Sequence, residues 1–335
     1  MKTYFLIVAI ISLAFSFMGC KMKDNFDYKA TIVPLSKSSV RLIDMNSTAE
    51  IIIKRLKYST GIQNEDMKLD VSENQISLTL SKTDTGKILS IKKTITGYAR
   101  LEFWETYENS EITGYLTKAN NLLKEMKVVP EVKNSVIQDV SVSQNPLFGV
   151  LRPMVTEKGD PLPSCLIGLA SATDTAIVDR YLQIPQVRDL FPRDIKFLWS
   201  HNPYKQGTTQ GLYELHAIKV TSQDGKAPLD GSAIASAKAV PGKSGTDMKI
   251  DLTMTAEGSI KWAKITRENI KRCIAVVLNG YVRSYPRVQT EITGRNTEIT
   301  GNFTREEAND LVNIFKSGEL PFELKIEKDQ IIKNQ

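Results

Sequence analysis

The sequence predicts an α+β fold with a ferredoxin-like base. Segments with the two-residue period of strands alternate with segments of helical period in the order strand–helix–strand–strand–helix–strand, complete by about residue 106. Residues that typically start or end helices stand at the boundaries of these segments. The order predicts a four-stranded antiparallel sheet with both helices on one face.

The first strand and the first helix follow from local signals. Residues 28–35 alternate as an opening strand. Ser47-Thr48-Ala49-Glu50 is a capping box, whose Ser and Glu side chains each satisfy a backbone N–H, so a helix is predicted to begin there. Gly61 is placed to end it. The residues predicted to face inward are Ala49, Ile52, Ile53 and Leu56.

Two short strands and a second helix complete this unit. Strands are predicted at residues 68–71 and 75–80, and Asp84 is placed to cap the helix that follows them. Gly97 ends that helix, and residues 100–105 form the strand that would complete the sheet. The inward face of the second helix is predicted to consist of Ile88, Ile91 and Ile95.

The middle of the chain is less regular. Helices are predicted over residues 117–127 and from Asp174 to residue 182, and a strand is predicted over residues 212–220. Residues 239–246 have the composition of a flexible loop. The residues predicted to be buried in the first of these helices are Leu122, Leu123 and Met126.

Regular patterns return near residue 249. Strands over residues 249–253 and 273–278 flank a predicted helix over residues 257–270. Asn279-Gly280 predicts a hairpin turn, because both residues tolerate positive φ, and residues 281–284 form the returning strand.

A last helix and a last strand close the pattern. Thr304-Arg305-Glu306-Glu307 is a second capping box, and Gly318 is placed to end the helix that it starts. Residues 322–326 are predicted to form the final strand, and the polar residues 328–335 are predicted to fray. The inward stripe of the helix consists of Ala308, Leu311, Val312 and Phe315.

The amino terminus has the pattern of a bacterial lipoprotein signal. Lys2 precedes a nearly unbroken apolar run over residues 5–17, and Met18-Gly19 puts a small residue directly before Cys20. We expect residues 1–19 to be a signal peptide, Cys20 to carry acyl chains that hold the protein on a membrane, and residues 20–29 to be a tether.

The alternative is an uncleaved transmembrane anchor, but the apolar run is shorter than the roughly 20 residues that span a bilayer. In both cases the chain beyond Cys20 lies outside the cytoplasm. We expect a location in the cell envelope, on the periplasmic face of the inner or the outer membrane.

Composition narrows the class of protein further. The apolar and charged fractions, 41% and 24%, are those of ordinary globular proteins. The net charge of +6 is spread without a basic block, which argues against a nucleic-acid partner. Cys165 and Cys273 could pair in an oxidising compartment, but Cys273 opens an apolar run and equally suits a buried small hydrophobe.

No cofactor or metal motif emerges. His201 and His216 have no second His or Cys at the spacing of a zinc site, so both are expected to be ordinary imidazoles. Pro241-Gly242-Lys243-Ser244 suggests a phosphate loop, but Ala237 stands where that motif requires Gly. We expect a loop there and no bound cofactor.

Residues 102–111 contain an acidic cluster around Phe103-Trp104. Paired carboxylates could cleave glycosidic bonds, so the sequence leaves an envelope hydrolase open. A solvated sheet edge is the simpler interpretation, because charges at an edge also discourage strand addition. The glutamates of this acidic cluster are Glu102, Glu105, Glu108 and Glu111.

Three segments together resemble a known family. Residues 99–109, ARLEFWETYEN, resemble the A-x-L-E-F strand of SecD in the form seen in Bacteroidetes-type fused SecDF. Residues 274–286, IAVVLNGYVRSYP, are similar to its I-A-I-V-L-D-G-x-V-x-S-x-P hairpin. Residues 299–311, ITGNFTREEANDL, and residues 317–321, SGELP, are similar to its I-T-G-x-F-T-x-E-E-A-x-x-L and S-G-x-L-P segments. Residues 50–61 also fit the family's first helix.

The resemblance is to P1, the first periplasmic domain of the protein-export membrane protein SecD. It implies a P1-like base over residues 28–108 and 304–327 and a large inserted α+β head over residues 109–303. Residues 30–35 lack the family's D-x-x-G-G turn. The family's transmembrane helices are also missing, so we expect a stand-alone lipoprotein that inherits none of the residues assigned to proton conduction.

The resemblance implies a non-enzymatic protein that binds or guides exported polypeptides, or docks on the Sec translocase. The head would move on the base about hinges near residues 109–113 and 301–303. Two alternatives stay open. One is an envelope lipoprotein with the same fold and an unrelated partner, and the other is the hydrolase that would use the acidic cluster.

Overall fold

The computed structural model describes residues 26–36, 40–97, 100–128, 145–204, 211–242, 245 and 247–333. The signal peptide, Cys20 and most of the tether lie outside these residues. Helices and strands alternate in several sheets, so the predicted α+β class is confirmed. Among the described residues, none of the helices combines the length and the apolar composition needed to cross a membrane.

The elements are named in chain order. The helices are α1 Leu42–Thr60, α2 Ile88–Thr96, α3 Asn109–Glu125, α4 Thr175–Gln183, α5 Pro185–Arg188, α6 Ala256–Glu268 and α7 Arg305–Ser317. The strands are β1 Phe26–Pro34, β2 Met67–Val71, β3 Ile76–Thr83, β4 Leu101–Glu105, β5 Arg152–Pro153, β6 Leu166–Ser171, β7 Ile195–Trp199, β8 Leu212–Lys219, β9 Leu229–Asp230, β10 Ile234–Pro241, β11 Met248–Met254, β12 Ile274–Leu278, β13 Tyr281–Ser284, β14 Asn296–Phe303 and β15 Leu324–Lys333.

The amino-terminal unit is built on a four-stranded antiparallel sheet in the order β15-β1-β3-β2, which we call the base sheet. The predicted helices α1 and α2 pack on one of its faces. β4, which was predicted to be the fourth strand, lies in another sheet, and β15 takes its place. The largest buried residues of this core are Tyr28, Ile32, Met45, Ile52, Leu56, Ile76, Leu78 and Leu80.

The strand β15 extends much further than the sequence predicted. It pairs with β1 from Leu324, opposite Pro34, to Lys333, opposite Phe26. The expected fraying of residues 328–333 is therefore wrong. Their polar composition suits an edge strand, where one face and one edge meet water.

The first helix begins earlier than its apparent capping box. α1 starts at Leu42, and the hydroxyl of Ser47 donates to the carbonyl of Ile43 one turn back, inside the helix. The predicted start at Ser47 is therefore wrong. Gly61 ends α1 with a φ of 72°, as predicted, because a left-handed residue there closes the last turn.

Three further sheets make up the rest of the described chain. Their orders are β13-β12-β4-β9, β5-β6-β8-β7 and β10-β11-β14. Helices α6 and α7 cover the sheets that contain β4 and β11, and this core includes Phe103, Ile250 and Trp262. Helices α3 and α4 pack against the sheet of β6 and β8 around Ile167 and Leu215.

Several predictions of this region need correction. The helix expected over residues 117–127 begins at Asn109, where Glu108 and Glu111 form a capping box. Met126 is 40% exposed rather than buried, because it follows the end of α3. The loop expected over residues 239–246 begins with strand, since β10 runs to Pro241 and pairs with β11.

Other local signals are confirmed. Asn279 and Gly280 have φ of 54° and 81° in the turn between β12 and β13. The Thr304 capping box starts α7, with Glu307 N–H donating to the Thr304 hydroxyl at 3.2 Å. The side chain of Glu307 accepts from Thr304 N–H in return, at 2.9 Å.

Candidate functional site: a groove beside strand β7

The acidic cluster is made of separate polar pairs. β4 lies between β12 and β9, so the expectation of a solvated sheet edge is wrong. Each of the four carboxylates contacts a donor of its own. The pairs are Glu102 with Arg100, Glu105 with Asn269, Glu108 with Arg287 and Glu111 with Arg272.

These contacts favour a structural role over acid–base chemistry. Burial alone would raise the pKa of Glu111, but the Glu108 N–H and the Arg272 guanidinium outweigh burial and hold it below its usual range. A catalytic acid would need the opposite shift. The contacts of these four glutamates therefore lend no support to the hydrolase hypothesis.

The two histidines lie near the end of β7 and within β8. His216 is fully buried, with Nδ1 3.2 Å from the carbonyl oxygen of Cys165 and its ring centroid 4.4 Å from that of Tyr285. Burial, together with Arg283, lowers the pKa of His201. Within the described ranges, no three His, Cys, Asp or Glu side chains form a group that could hold a metal ion.

A disulfide joins Cys165 to Cys273, a pairing that the sequence left open. The two Cα atoms are 6.3 Å apart, and 108 residues separate the cysteines in the chain. Cys165 directly precedes β6 and Cys273 directly precedes β12. The bond therefore ties the β5-β6-β8-β7 sheet to the β13-β12-β4-β9 sheet.

A groove of about 490 Å³ runs beside β7. β7 ends its sheet and pairs along one side with β8. On the other side, α4 forms one wall of the groove and the turn between β12 and β13 forms the second. The side chains that line it include Asp179, Leu182, Phe197, Trp199 and Tyr281.

The backbone at the centre of β7 faces this groove. Asp194 accepts from Val220 N–H at 2.7 Å, and Ser200 N–H donates to Glu214 at 2.8 Å, so the even-numbered residues of this stretch bond toward β8. Because antiparallel strands alternate, Phe197 directs its N–H and C=O to the opposite side, into the groove. An extended peptide could pair with these groups.

Both ends of this free edge are closed. His201 N–H donates to Val282 at 2.9 Å, so β13 runs beside the chain just beyond β7. The hairpin then turns away at Asn279 and Gly280. At the other end, the Arg188 guanidinium donates to the Ile195 carbonyl at 3.1 Å. The groove is therefore short and defined in position.

The walls combine fixed and accessible aromatic groups. The Trp199 indole donates to Asp179 at 2.9 Å, and Phe197 packs edge-on against Phe191 with ring centroids 5.2 Å apart. Tyr281 is half exposed at the rim. The lining also includes polar side chains, among them Gln183, Arg188 and Asn279. Among the described residues no strand pairs with β7 on its groove side, and a free strand edge can bind an extended peptide by strand addition.

A second feature lies where the chain leaves and re-enters the base sheet unit. Arg55 of α1 is 1% exposed, and its guanidinium donates to the carbonyls of Gly97 and Gly318. Gly97 ends α2 before the chain passes to β4, and Gly318 ends α7 before it passes to β15. One buried side chain thus holds both crossings, which we call the junction.

The segments predicted to be hinges are regular structure. Residues 109–113 form the first turns of α3, and the Asn109 side chain donates to the Leu162 carbonyl at 3.1 Å. Residues 301–303 belong to β14. Sequence reasoning missed both the groove and the junction, because each depends on pairings between distant segments that no local pattern reveals.

Comparisons with known proteins agree with this architecture. Residues 212–322 match the family model described as SecDF, P1 head subdomain. The SecD translocase subunit of Rhodothermus marinus is 33% identical over 56% of this chain and 28% of its own length. That of Magnetococcus marinus is 26% identical over 86% of this chain and 54% of its own length. The chain thus spans about half or less of these relatives.

A solved structure shows the same fold. It is described as a structure of SecDF, a membrane component that enhances protein export, and it superposes with a TM-score of 0.51 over 90% of this chain and 98% of its own, at 18% identity. The fold is therefore that of an α+β domain found in SecDF. The family model and the SecD relatives support a SecD P1-like domain in this chain.

Proposed function

We propose that this protein is a lipid-anchored, non-enzymatic component of the cell envelope that binds extended segments of exported polypeptides. The single observation that carries the proposal is the groove beside β7, where a strand edge with no partner strand among the described residues lies between walls of mixed polar and apolar side chains. The SecD P1-like domain supports it, because the relatives are named as protein translocase subunits.

Strand addition suits a chain in transit. The backbone N–H and C=O of Phe197 would form hydrogen bonds with the backbone of the bound peptide, which is the same in every sequence. Apolar contacts with Leu182 and Tyr281 would add affinity for side chains that a folded protein normally buries. Such a site would prefer unfolded chains over folded ones without demanding a particular sequence.

We also propose a division of the chain that revises the one expected from the sequence. The base would consist of residues 26–97 and 320–333, because these form the base sheet with α1 and α2. The head would consist of residues 100–318, since β4 pairs with β12 and β9, and α7 packs in the core of β11. The groove then lies in the head.

Lipidation at Cys20 would set the location. A chain acylated there is held on a membrane with its domain in the periplasm. Cells expressing the native chain should yield a membrane-bound form that incorporates labelled fatty acid. Cys20→Ala should remove the label, and Tyr58→Ala, which keeps Cys20 and the disulfide, serves as the control. Equal labelling of the Cys20 variant would refute the anchor.

Binding can be measured by fluorescence anisotropy with reduced and alkylated lactalbumin, which stays unfolded. Tyr281→Ala should weaken binding about five- to tenfold, the usual loss when a well-packed interface aromatic is truncated. Tyr58→Ala removes an equally exposed aromatic on α1, far from the groove, and should have no effect. Failure of the native chain to bind, or equal loss in both variants, would refute the proposal.

Crosslinking in intact cells separates the remaining alternatives. A photoreactive residue at position 281 should capture many different exported chains if the groove holds polypeptides in transit. Recovery of Sec translocase subunits instead would make the protein a docking component. Recovery of one unrelated envelope protein would support the alternative in which the fold serves another partner.

A further inference from the structure

The junction contains a group of charges close to Arg55. Glu319 directly follows Gly318, whose carbonyl Arg55 holds at 3.1 Å. The Glu319 carboxylate lies against the backbone of Gly231, so close that a β-carbon there would be 3.4 Å from Oε2. Glu319 is therefore positioned between the crossing into the base sheet and the β9 side of the head.

Charges from three elements face this carboxylate. Asp230 of β9 lies opposite Glu102 of β4, Arg100 directly before β4 pairs with Glu102 at 2.9 Å, and Arg55 comes from α1. When Glu319 is uncharged, the two negative charges of Asp230 and Glu102 are balanced by the two positive charges of Arg100 and Arg55. Ionisation of Glu319 leaves the group with one excess negative charge in a half-buried space.

We propose that the junction is a pH-sensitive latch, in which an uncharged Glu319 keeps the crossing against β9 and an ionised Glu319 releases it toward solvent. Release would move the segment that begins at Gly318, and with it the carbonyl that Arg55 holds. The contact between base and head would then loosen. This proposal is independent of what binds in the groove.

The electrostatics of the site agree with the geometry. Burial first, and then Asp230, raise the pKa of Glu319 from 4.5 to about 7, against the opposing effect of Arg100 and Arg55. The side chain would therefore titrate near neutral pH rather than near pH 4. Lys261 of α6 interacts with Asp230, and its ammonium group pairs with Glu257 at 2.8 Å.

A second observation marks the junction as adjustable. Arg55 donates to two carbonyls, yet its buried Nε has no hydrogen-bond partner among the described residues. A buried donor without a partner is costly and gains by rearrangement. Gly318 has a φ of 99°, and an added β-carbon would meet Ile51 at an ordinary contact distance of 3.7 Å.

Hydrogen exchange of the full-length chain tests the latch. Protection of backbone amides in residues 316–322, corrected for the chemical exchange rate at each pH, should fall about thirtyfold between about pH 5.5 and about pH 8.5, because opening releases one proton while the pH lies between the released and the closed pKa of Glu319. Glu319→Gln should keep the high protection at every pH. Glu323→Gln, an exposed position on the same segment, should behave like the native chain.

A further variant tests whether the effect of Glu319→Gln arises from the charge of Glu319. Asp230→Asn removes one facing carboxylate while keeping a side chain that can cap the turn at Ser232, so the fall in protection should move to lower pH. Constant protection in the native chain, or a fall in Glu319→Gln that matches the native one, would overturn the proposal. An unshifted midpoint in Asp230→Asn would do the same.

Discussion

The guanidinium of Arg55 donates to the carbonyl of Gly318 at 3.1 Å, across 263 residues of chain. The same group donates to Gly97. Arg55 lies on the first helix, and the two carbonyls end the second helix and the last one. A single side chain therefore connects the beginning and the end of the described chain at the place where the base sheet unit meets the rest.

Replacing Arg55 by Met should destabilise the protein by about 1–3 kcal/mol, because two buried carbonyls lose their donor. The loss is limited because burying the Arg55 cation is itself unfavourable. This burial lowers the pKa of Arg55 to about 10. Arg41→Met is the control, since Arg41 pairs with Asp44 at the surface. Urea unfolding measures both, and equal midpoints would contradict the role given to Arg55.

The two apparent capping boxes should respond differently to mutation. Thr304→Ala removes a hydroxyl that accepts from Glu307 N–H and should cost about 1 kcal/mol. Ser47→Ala changes a position inside α1 and should be neutral or slightly stabilising, since Ala is the better helix former. Thermal unfolding of the two variants gives the comparison. A larger loss for Ser47→Ala would contradict the start of α1 at Leu42.

Removal of the disulfide should destabilise the protein substantially. The bond closes a loop of 108 residues, for which chain entropy predicts about 4–5 kcal/mol. A chain with both Cys165→Ala and Cys273→Ala should therefore unfold at a lower temperature. A reductant should lower the unfolding temperature of the native chain and leave the variant unchanged. Mass spectrometry that finds the two cysteines in separate unreduced peptides would refute the pairing.

Two helical glycines should give opposite results when changed to alanine. A β-carbon at Gly258, near the start of α6, would lie 2.6 Å from the Ala233 carbonyl oxygen, so Gly258→Ala should cost about 1–3 kcal/mol. Gly114 in α3 has open space around it, and Gly114→Ala should stabilise by about 0.5–1 kcal/mol. Urea midpoints moving in the same direction would contradict this packing.

Local chemistry made most individual elements predictable. Gly61 and the Thr304 capping box mark ends that the structure keeps, because each acts through backbone groups within a few residues. Asp84 caps a 3₁₀ turn over residues 85–87 instead of α2 itself, which begins at Ile88. The prediction of a helix start at Ser47 was wrong because it used only the same kind of local signal. Its pattern satisfies the capping rule, but α1 begins five residues earlier, at Leu42, and Met45 in that added turn is buried.

Pairing between distant strands was the part that sequence could not supply. β4 completes the expected order of elements, yet it pairs with β12, about 170 residues further along the chain. The polar strand β15 looks like a fraying tail until its register with β1 is known. The partner of a strand depends on the whole fold, and nothing in the sequence of residues 101–105 indicates which strand they pair with.

The candidate sites divide in the same way. The acidic cluster was visible as a run of glutamates, but the arginines that neutralise it, Arg272 and Arg287, follow some 160 residues later. The groove depends on where the hairpin at Gly280 lies relative to β7. No sequence pattern indicates that these arginines pair with the glutamates or that the edge of β7 lies open to the groove.

The register between β1 and β15 has a consequence for how the molecule assembles. Tyr28 of β1 pairs with Ile331 of β15, so β1 cannot complete its pairing until a strand some three hundred residues later has been synthesised. Until then β1 has an unsatisfied ladder of amides and carbonyls on one side. A nascent copy cut short before residue 324 would keep that ladder exposed and would be prone to self-association, so completion of the last strand acts as a safeguard against premature aggregation.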